Sequence, residues 1–496
     1  MEFSSLYYIF FLFSSFSLFS YYLLTNKFMN LNPWCKCEIC QSFITSSWRE
    51  KFTNLPDWYA HLLQNSPTNT IHIHTLNNTV IAHPKNVEHI LRTNFDNYPK
   101  GKPMSTILGD LLGRGIFIVD GDHWRFQRKL ASLELGSVSV RAYAHEVLNK
   151  EIEAKLVPAL LKVPSSPQPP SSVIDLQVEF RKFSFVNICK FSFGVDPTGL
   201  DGLAEAFDVA SKLSSERALS PSWITWRAKR LFNVGSEKRL KGAISKVNAL
   251  AENIMQERRK IGFTTKMDLL SRFMGSVSDD KYLRDIVVSF LLAGRDTVAS
   301  GLTMFFYLMA RNPIAEARII EESNRAMGPQ HSSNSSINFP TLEELRKMHY
   351  LQAAIYETLR LYPPVQIDSK FAINDDVLPD GTFVKKGTRV SYHPYSMGRM
   401  ESIWGPDCLE FKPERWLNDD GVFSPVSPYK YPVFQAGVRV CLGKDMSMLS
   451  MKVVALILVR RFHIRLADLN WTPHFVPGLT ATLKDGLPVV VTERLV

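Results

Sequence analysis

Blocks of like charge, long flexible linkers and a cysteine framework are all missing from this chain. Its six cysteines (Cys35, Cys37, Cys40, Cys189, Cys408 and Cys441) are too sparse over 496 residues to staple a disulfide scaffold. Cys35, Cys37 and Cys40 look like half of a zinc knot, but no second ligand pair follows at suitable spacing. An unpaired cytosolic cluster is therefore the expected reading. The basic residues give a net charge of +10 and are scattered rather than run together. That argues against nucleic acid as a partner and fits a membrane surface or an acidic protein. No long Gly/Ser-rich or Pro-rich linker divides the chain; the polar, Pro-rich stretch Val163 to Ser172 reads as a loop interrupting the helical pattern Val138 to Phe193. A prior of roughly 100–200 residues per domain would allow about three domains, but one large domain behind a short N-terminal segment is the simpler reading. A hydrophobic content of 45% with 21% charged residues is that of a globular body.

Charge is also absent from Phe3 to Leu24, a stretch rich in Phe, Leu and Tyr and carrying six serines. A helix of that length spans the ~30 Å hydrocarbon layer at about 1.5 Å per residue. A cleaved signal would want a basic start, a shorter apolar core and small residues at a cut site. Here the first basic residues, Lys27 and Lys36, follow the span. Their position leaves the rest of the chain in the cytosol. The expected organisation is a transmembrane signal-anchor over 1–26, a linker over 27–49 and a catalytic domain over 50–496.

What the chain does contain is Phe434-Gln435-Ala436-Gly437-Val438-Arg439-Val440-Cys441-Leu442-Gly443. Phe, Gly, Arg, Cys and Gly at these offsets arise by chance on the order of once per ten thousand chains of this length. Each position has a task if Cys441 is the axial metal ligand of a haem. Gly437 permits a tight bulge where a side chain would strike the porphyrin, and Gly443 lets the following helix run close beneath it. Arg439 offers a fork of donors to a propionate. Phe434 packs over the sulfur. A helix from Asp445 to Arg461 would favour thiolate over thiol at its N-terminus.

The segment resembles the haem-binding signature of the cytochromes P450, whose thiolate favours O–O cleavage. The family's other signatures occur upstream in its order. Trp124 and Arg128, four apart on one helical face, match the pair that contacts a haem propionate. Ala293-Gly294-Arg295-Asp296-Thr297 lies inside a long apolar helical pattern, Leu283 to Met309. There the resemblance makes Gly294 a groove for dioxygen and Asp296 with Thr297 the catalytic proton relay. Glu357 and Arg360 share a face and would join Arg415 in a buried cluster that supports the haem loop. The resemblance covers about residues 50 to 496. It implies a mainly α fold with small β-sheets, the cytochrome P450 fold.

Within the family the chain is most similar to the plant fatty-acid ω-hydroxylase branch. The stretches that carry this are Leu112 to Phe117, Gly121 to Ser132, Ala293 to Thr297 and Phe434 to Gly437. Ser132 to Val140 and Val365 to Phe371 are similar to members that oxidise jasmonoyl-isoleucine. The implied cofactors are haem b with its iron and NADPH acting through a flavoprotein, NADPH-cytochrome P450 reductase. The implied location is the endoplasmic reticulum membrane, with the catalytic domain cytosolic. The activity would be a monooxygenase hydroxylating the terminal carbon of a lipid-like, carboxylate-bearing substrate, jasmonoyl-isoleucine or its 12-hydroxy form, with further oxidation to the acid. A general fatty-acid ω-hydroxylase is the alternative. A reductase-independent hydroperoxide isomerase or dehydratase fits less well, because Asp296 and Thr297 are present, and no partner domain suggests a haem sensor.

For the pocket, Phe290, Leu291 and Val365 are expected to present apolar surface, while Gly294, Gln366, Asp368 and Thr480 complete it. Lys100 and Lys102 are candidates for holding a substrate carboxylate. Arg125, Lys129, Lys430 and Lys444 are candidates for a basic face toward an acidic reductase. Elsewhere the pattern predicts a strand at Ile71 to Thr75, a loop region from Tyr98 to Ile118 and helices from Leu200 to Arg258 broken near Ser220-Pro221. It also predicts one helix from Thr341 to Leu361, hairpin strands turning at Asp380-Gly381, and a hairpin tip at Gly478 to Thr482.

Overall fold

The computed structural model describes residues 35–161, 173–197, 203–220, 223–262, 268–328 and 337–494, with a helical stretch inside 7–20. Most of the expected anchor, the first part of the linker and residues 162–172 and 329–336 lie outside the described residues.

The fold is built around one helix, Asp280–Arg311, of 32 residues. Asp279 caps it by accepting from Tyr282 N at 3.1 Å, and Pro313 opens the next helix after Asn312. It is long and apolar enough to cross a membrane, but 83% of its apolar window is buried inside the protein. It therefore serves as the core axis. Helices Leu176–Phe193, His349–Leu361 and Lys444–Arg461 surround it, with Phe180 and Phe306 stacked at 5.6 Å between ring centres. These elements bury a continuous apolar cluster.

Small sheets complete a mainly helical architecture, as expected. Thr70–Ile73, Asn78–Ile81, Arg389–Tyr392 and Asp368–Phe371 form one sheet in that order. Its central pair is parallel and registers Asn78 with Arg389 and Ile81 with Tyr392. Val173–Asp175, Pro488–Glu493 and Phe462–Leu466 form a second. The short pair Asp376–Val377 and Phe383–Val384 turns at Asp380-Gly381, where Gly381 has φ 84°. The pair Phe475–Val476 and Thr482–Leu483 leaves residues 477–481 as a tip.

Several expectations need correction. The loop region expected from Tyr98 to Ile118 contains the helix Gly101–Leu112. Its Gly and Pro sit in the first turn, where proline's missing N–H costs nothing. Met104, Leu108, Leu111 and Leu112 bury one face at helical spacing. The single helix expected from Thr341 to Leu361 breaks at Met348 into Leu342–Lys347 and His349–Leu361. The second piece starts afresh because Glu322 accepts from the N–H groups of Tyr350 and Leu351 at 2.7 and 2.9 Å. The helical region from Leu200 breaks a second time, at Asn233 with φ 52°. Residues 35–50, within and beside the expected linker, carry the helix Glu38–Thr45 and a short 3-10 turn.

Candidate active site

A cavity of about 510 Å³ opens between the long helix, the loop Phe434 to Gly443, the segment Pro364 to Lys370 and the tip at 477–481. The loop ends where Gly443 caps helix Lys444–Arg461. Cys441 N donates to Phe434 O at 2.8 Å and closes the loop. Gln435 and Gly437 both adopt left-handed backbone, φ 61° and 62°. A Cβ on Gly437 would stand 2.2 Å from Leu91 O. Gly437 is therefore off the cavity wall, and its glycine answers to a backbone neighbour rather than to space inside the cavity.

Cys441 has accessible surface because it faces this cavity. Burial among protein groups pushes its thiol up, against the Gly443 N–H and the Arg128 guanidinium, which pull it down. The helix N-terminus and Arg128 thus pull toward thiolate against burial, and a coordinated metal would add to that pull. Arg439 lies 4.6 Å over the Trp124 ring and binds Asp120 at 2.6 Å and Val119 O at 2.9 Å. Arg128 donates to Val440 O. Trp124, Arg128, Phe434, Arg439, Cys441 and Gly443 all line the cavity.

One wall of the cavity gathers basic side chains with unmet donors. Lys370 is 0% exposed, its Nζ has no hydrogen-bond partner, and Arg439 Nε is also buried without one. Burial, with Lys100 nearby, holds the Lys370 amine well below the usual lysine range. Orphaned buried donors of this kind are costly unless an anionic group meets them. The carboxylates of a haem fit them.

Phe290, Gly294, Thr297, Val365, Gln366, Asp368 and Thr480 also line the cavity. Leu291 does not: it is fully buried in the core behind the helix. It falls about 100° round the helix from Phe290, too far to share its face. A Cβ on Gly294 would meet Ile188 Cδ1 at 2.2 Å, so this glycine also admits the neighbouring helix Leu176–Phe193. Thr297 donates its hydroxyl to Ala293 O at 2.7 Å. Asp296 is buried behind the wall, 3.1 Å from Arg295 Nη1, and burial pushes its carboxyl up despite the arginines beside it.

Lys100 lines the cavity, but it is committed to Asp368 and to Ser369 O. Asp368 also accepts from Tyr392 and Gln435, both at 3.0 Å. Burial raises the Asp368 carboxyl, yet Lys100 and Lys370 outweigh that and hold it below the usual range. Lys102 is exposed and off the wall, which removes it as a carboxylate anchor. Gln366 Nε2 is buried at the wall with no partner. Sequence reasoning missed Lys370 and Gln435. The only signal for Lys370 was its place in the period-two strand Asp368–Phe371, where burial depends on what packs above.

Below the loop, Glu357 and Arg360 are 0% exposed and paired through Arg360 Nε at 2.7 Å and Nη2 at 2.8 Å. Glu357 also accepts from Lys412 N at 3.0 Å and Trp416 Nε1 at 2.9 Å, with Arg415 Nε at 3.4 Å. Tyr356, Trp416 and Phe434 link this cluster to the loop through ring contacts.

The family model described as Cytochrome P450 matches residues 44–484. The chain belongs to the cytochrome P450 family. It is 57% identical over 477 residues to Cytochrome P450 94C1 of Arabidopsis thaliana, covering 94% of this chain and 95% of that protein. Cytochrome P450 94B1 of Arabidopsis thaliana is 44% identical, covering 89% and 88%. Cytochrome P450 94A1 of Vicia sativa is 40% identical, covering 90% and 88%. As a cytochrome P450 the chain is a haem-thiolate monooxygenase, with haem iron as cofactor and electrons from NADPH through a reductase.

Proposed function

We propose that this cytochrome P450 hydroxylates the terminal carbon of a carboxylate-bearing amphipathic molecule, jasmonoyl-isoleucine or its 12-hydroxy form, and carries the alcohol on to the acid. The observation that carries this reading is the unpartnered Gln366 Nε2 in a wall otherwise apolar at Phe290 and Val365. A plain alkyl chain leaves that donor unsatisfied, whereas an amide or ester-like oxygen meets it. The branch resemblance of Val365 to Phe371 supports the same choice.

Cys441 would hold the iron as a thiolate under the cover of Phe434, and Trp124, Arg128, Arg439 and Lys370 would hold the propionates. The bound haem supplies activation of dioxygen for insertion of one oxygen atom into a C–H bond. Thr297 presents a hydroxyl on the cavity wall that can hold a proton there, and Asp296 stands next to it behind the wall. Phe290 and Val365 exclude water from the apolar end. The basic residues round the loop face the reductase, and the N-terminal segment anchors the protein in the endoplasmic reticulum membrane with this domain in the cytosol.

The test supplies jasmonoyl-isoleucine, its 12-hydroxy form and dodecanoic acid to enzyme, reductase and NADPH. The two conjugates are expected to turn over fastest, with alcohol, aldehyde and acid formed at one carbon. Ring or in-chain hydroxylation alone, or no turnover of any of the three, would overturn the substrate reading and leave the monooxygenase standing. In the same assay Thr297→Ala should keep the substrate-induced spin shift and lower product per NADPH several-fold. An unchanged yield removes the proton role.

A further inference from the structure

Outside the cavity, one cluster of side chains is built for chemistry that haem does not need. Cys35, Cys37 and Cys40 bring their three Sγ atoms within 4.8 Å of one another. Cys40 is fully buried against the first sheet, Cys35 is half-buried, and Cys37 is exposed at the N-cap of helix Glu38–Thr45. We propose that these three cysteines form a thiolate site for a thiophilic d10 metal ion, Zn²⁺ or Cu⁺, which fastens residues 35–40 to the sheet.

The geometry needs little change. With metal–sulfur bonds of about 2.3 Å, thiolates of a trigonal or tetrahedral site stand about 3.8–4.0 Å apart, inside the 4.8 Å within which the three sulfurs already lie. Among the described residues no further His, Cys, Asp or Glu joins the group. Three soft ligands suit a three-coordinate Cu⁺, or Zn²⁺ with water in the fourth position. Hard ions such as Mg²⁺ or Ca²⁺ want oxygen and are excluded by the donor set.

Burial raises the Cys40 thiol to about 11 and Thr75 pulls against it, so the anionic, ligating form depends on the ion itself. The backbone N–H and hydroxyl of Thr75 reach the Cys40 sulfur. Thr75 is 0% exposed, and its buried hydroxyl makes no hydrogen bond of ordinary geometry. Donors aimed at a sulfur orient and tune a metal-bound thiolate. Gln41 Nε2 donates to Cys35 O at 3.0 Å and folds the start of the segment back over the helix. Cys35 and Cys37 precede the helix, whereas Cys40 belongs to the core that also holds Tyr59, Ile73 and Val80. An ion bound to all three would therefore couple that segment to the sheet, because a site assembled by folding returns its binding energy as stability.

The experiment uses the full-length haem protein, isolated without oxygen or chelator. Zinc and copper are measured against haem iron by mass spectrometry, and Zn²⁺ and Cu⁺ are titrated separately against a chromophoric chelator. Wild type should hold about one equivalent of one of the two ions, and Cys37→Ser should weaken it at least tenfold with haem content unchanged. Alkylation of Cys37 by iodoacetamide should slow several-fold when the ion is bound, a readout that needs no variant. Equal metal content in wild type and Cys37→Ser, with an unaltered alkylation rate, overturns the site. A disulfide inside the cluster of the protein so isolated overturns it as well.

Discussion

Two buried charge clusters flank the loop that carries Cys441, and they are finished differently. Below it, Glu357 Oε2 accepts from Arg360 and Trp416 Nε1, and Oε1 accepts from Arg360, Lys412 N and Arg415 Nε. Arg360 spends its remaining N–H groups on the carbonyls of Gly398, Cys408 and Glu410. Above it, the cluster of Lys100, Asp368, Lys370 and Arg439 leaves Lys370 Nζ and Arg439 Nε without partners. A closed cluster has nothing left to offer a ligand and acts as scaffold. An open one retains the cost of burial until a ligand removes it. Burial alone does not separate scaffold from site; the unpaired donors do.

The largest effect should come from opening the closed cluster. Glu357→Gln leaves Arg360 charged, buried and short of its counter-ion, a loss of about 3–5 kcal/mol. The outcome expected is poor expression and a fall in melting temperature of several degrees, read by calorimetry, with loss of haem following loss of fold. A variant that melts with the wild type would show the two clusters to be alike after all.

The open cluster should behave in the opposite way. Lys370→Met removes an amine that the apoprotein buries at a cost, so the fold of the apoprotein should keep or gain stability. Haem retention should fall, because a charge-assisted hydrogen bond of about 1.5–3 kcal/mol is lost, roughly ten- to a hundred-fold in haem dissociation. Haem transfer to apomyoglobin measures it. Equal transfer rates would mean that Lys370 does not meet the cofactor.

The same contrast shows what the chain discloses before folding. The loop was legible because Phe434, Gly437, Arg439, Cys441 and Gly443 act within one local turn, and their spacing survives in the string. Glu357 and Arg360 were legible as a pair for the same reason, three apart on one helix. Lys370 was not, because the charges around it, Lys100, Arg439 and Asp120, are remote in sequence. Leu291 was misplaced since an apolar helix buried on all sides gives no phase for its cavity face. Helix Gly101–Leu112 was hidden by a glycine and a proline that its first turn tolerates, and the break at Met348 by a cap that Glu322 supplies from another helix. Cys35, Cys37 and Cys40 were visible as letters, but their convergence depends on the sheet beneath Cys40.

The smallest effect belongs to charges that join neither cluster. Arg125 and Lys129 are exposed on the helix Gly121–Leu135, whose Arg128 touches the loop at Val440 O. Lys430 and Lys444 lie 4.6 Å over the Trp404 ring and 5.7 Å over the Phe434 ring. Arg125 and Lys129 thus make no buried contact, whereas Lys430 and Lys444 each cover a ring. Among the described residues the one ion pair these four make, Arg125 with Asp122 at 3.1 Å, is exposed on both sides and worth about 0–1 kcal/mol. Reversing Arg125 and Lys129 to Glu should leave melting temperature and haem content where they are. It should slow reduction by an acidic reductase several-fold at low salt, through the association rate. The difference should vanish near 1 M salt, where the screening length is about 3 Å. Lys430 and Lys444 are left in place, because their ring contacts would mix a packing loss into the result. Stopped-flow reduction across a salt series measures the effect. A rate that is the same for both proteins at low salt would make this face an ordinary solvated surface, and a difference that persists at high salt would make it a packing effect.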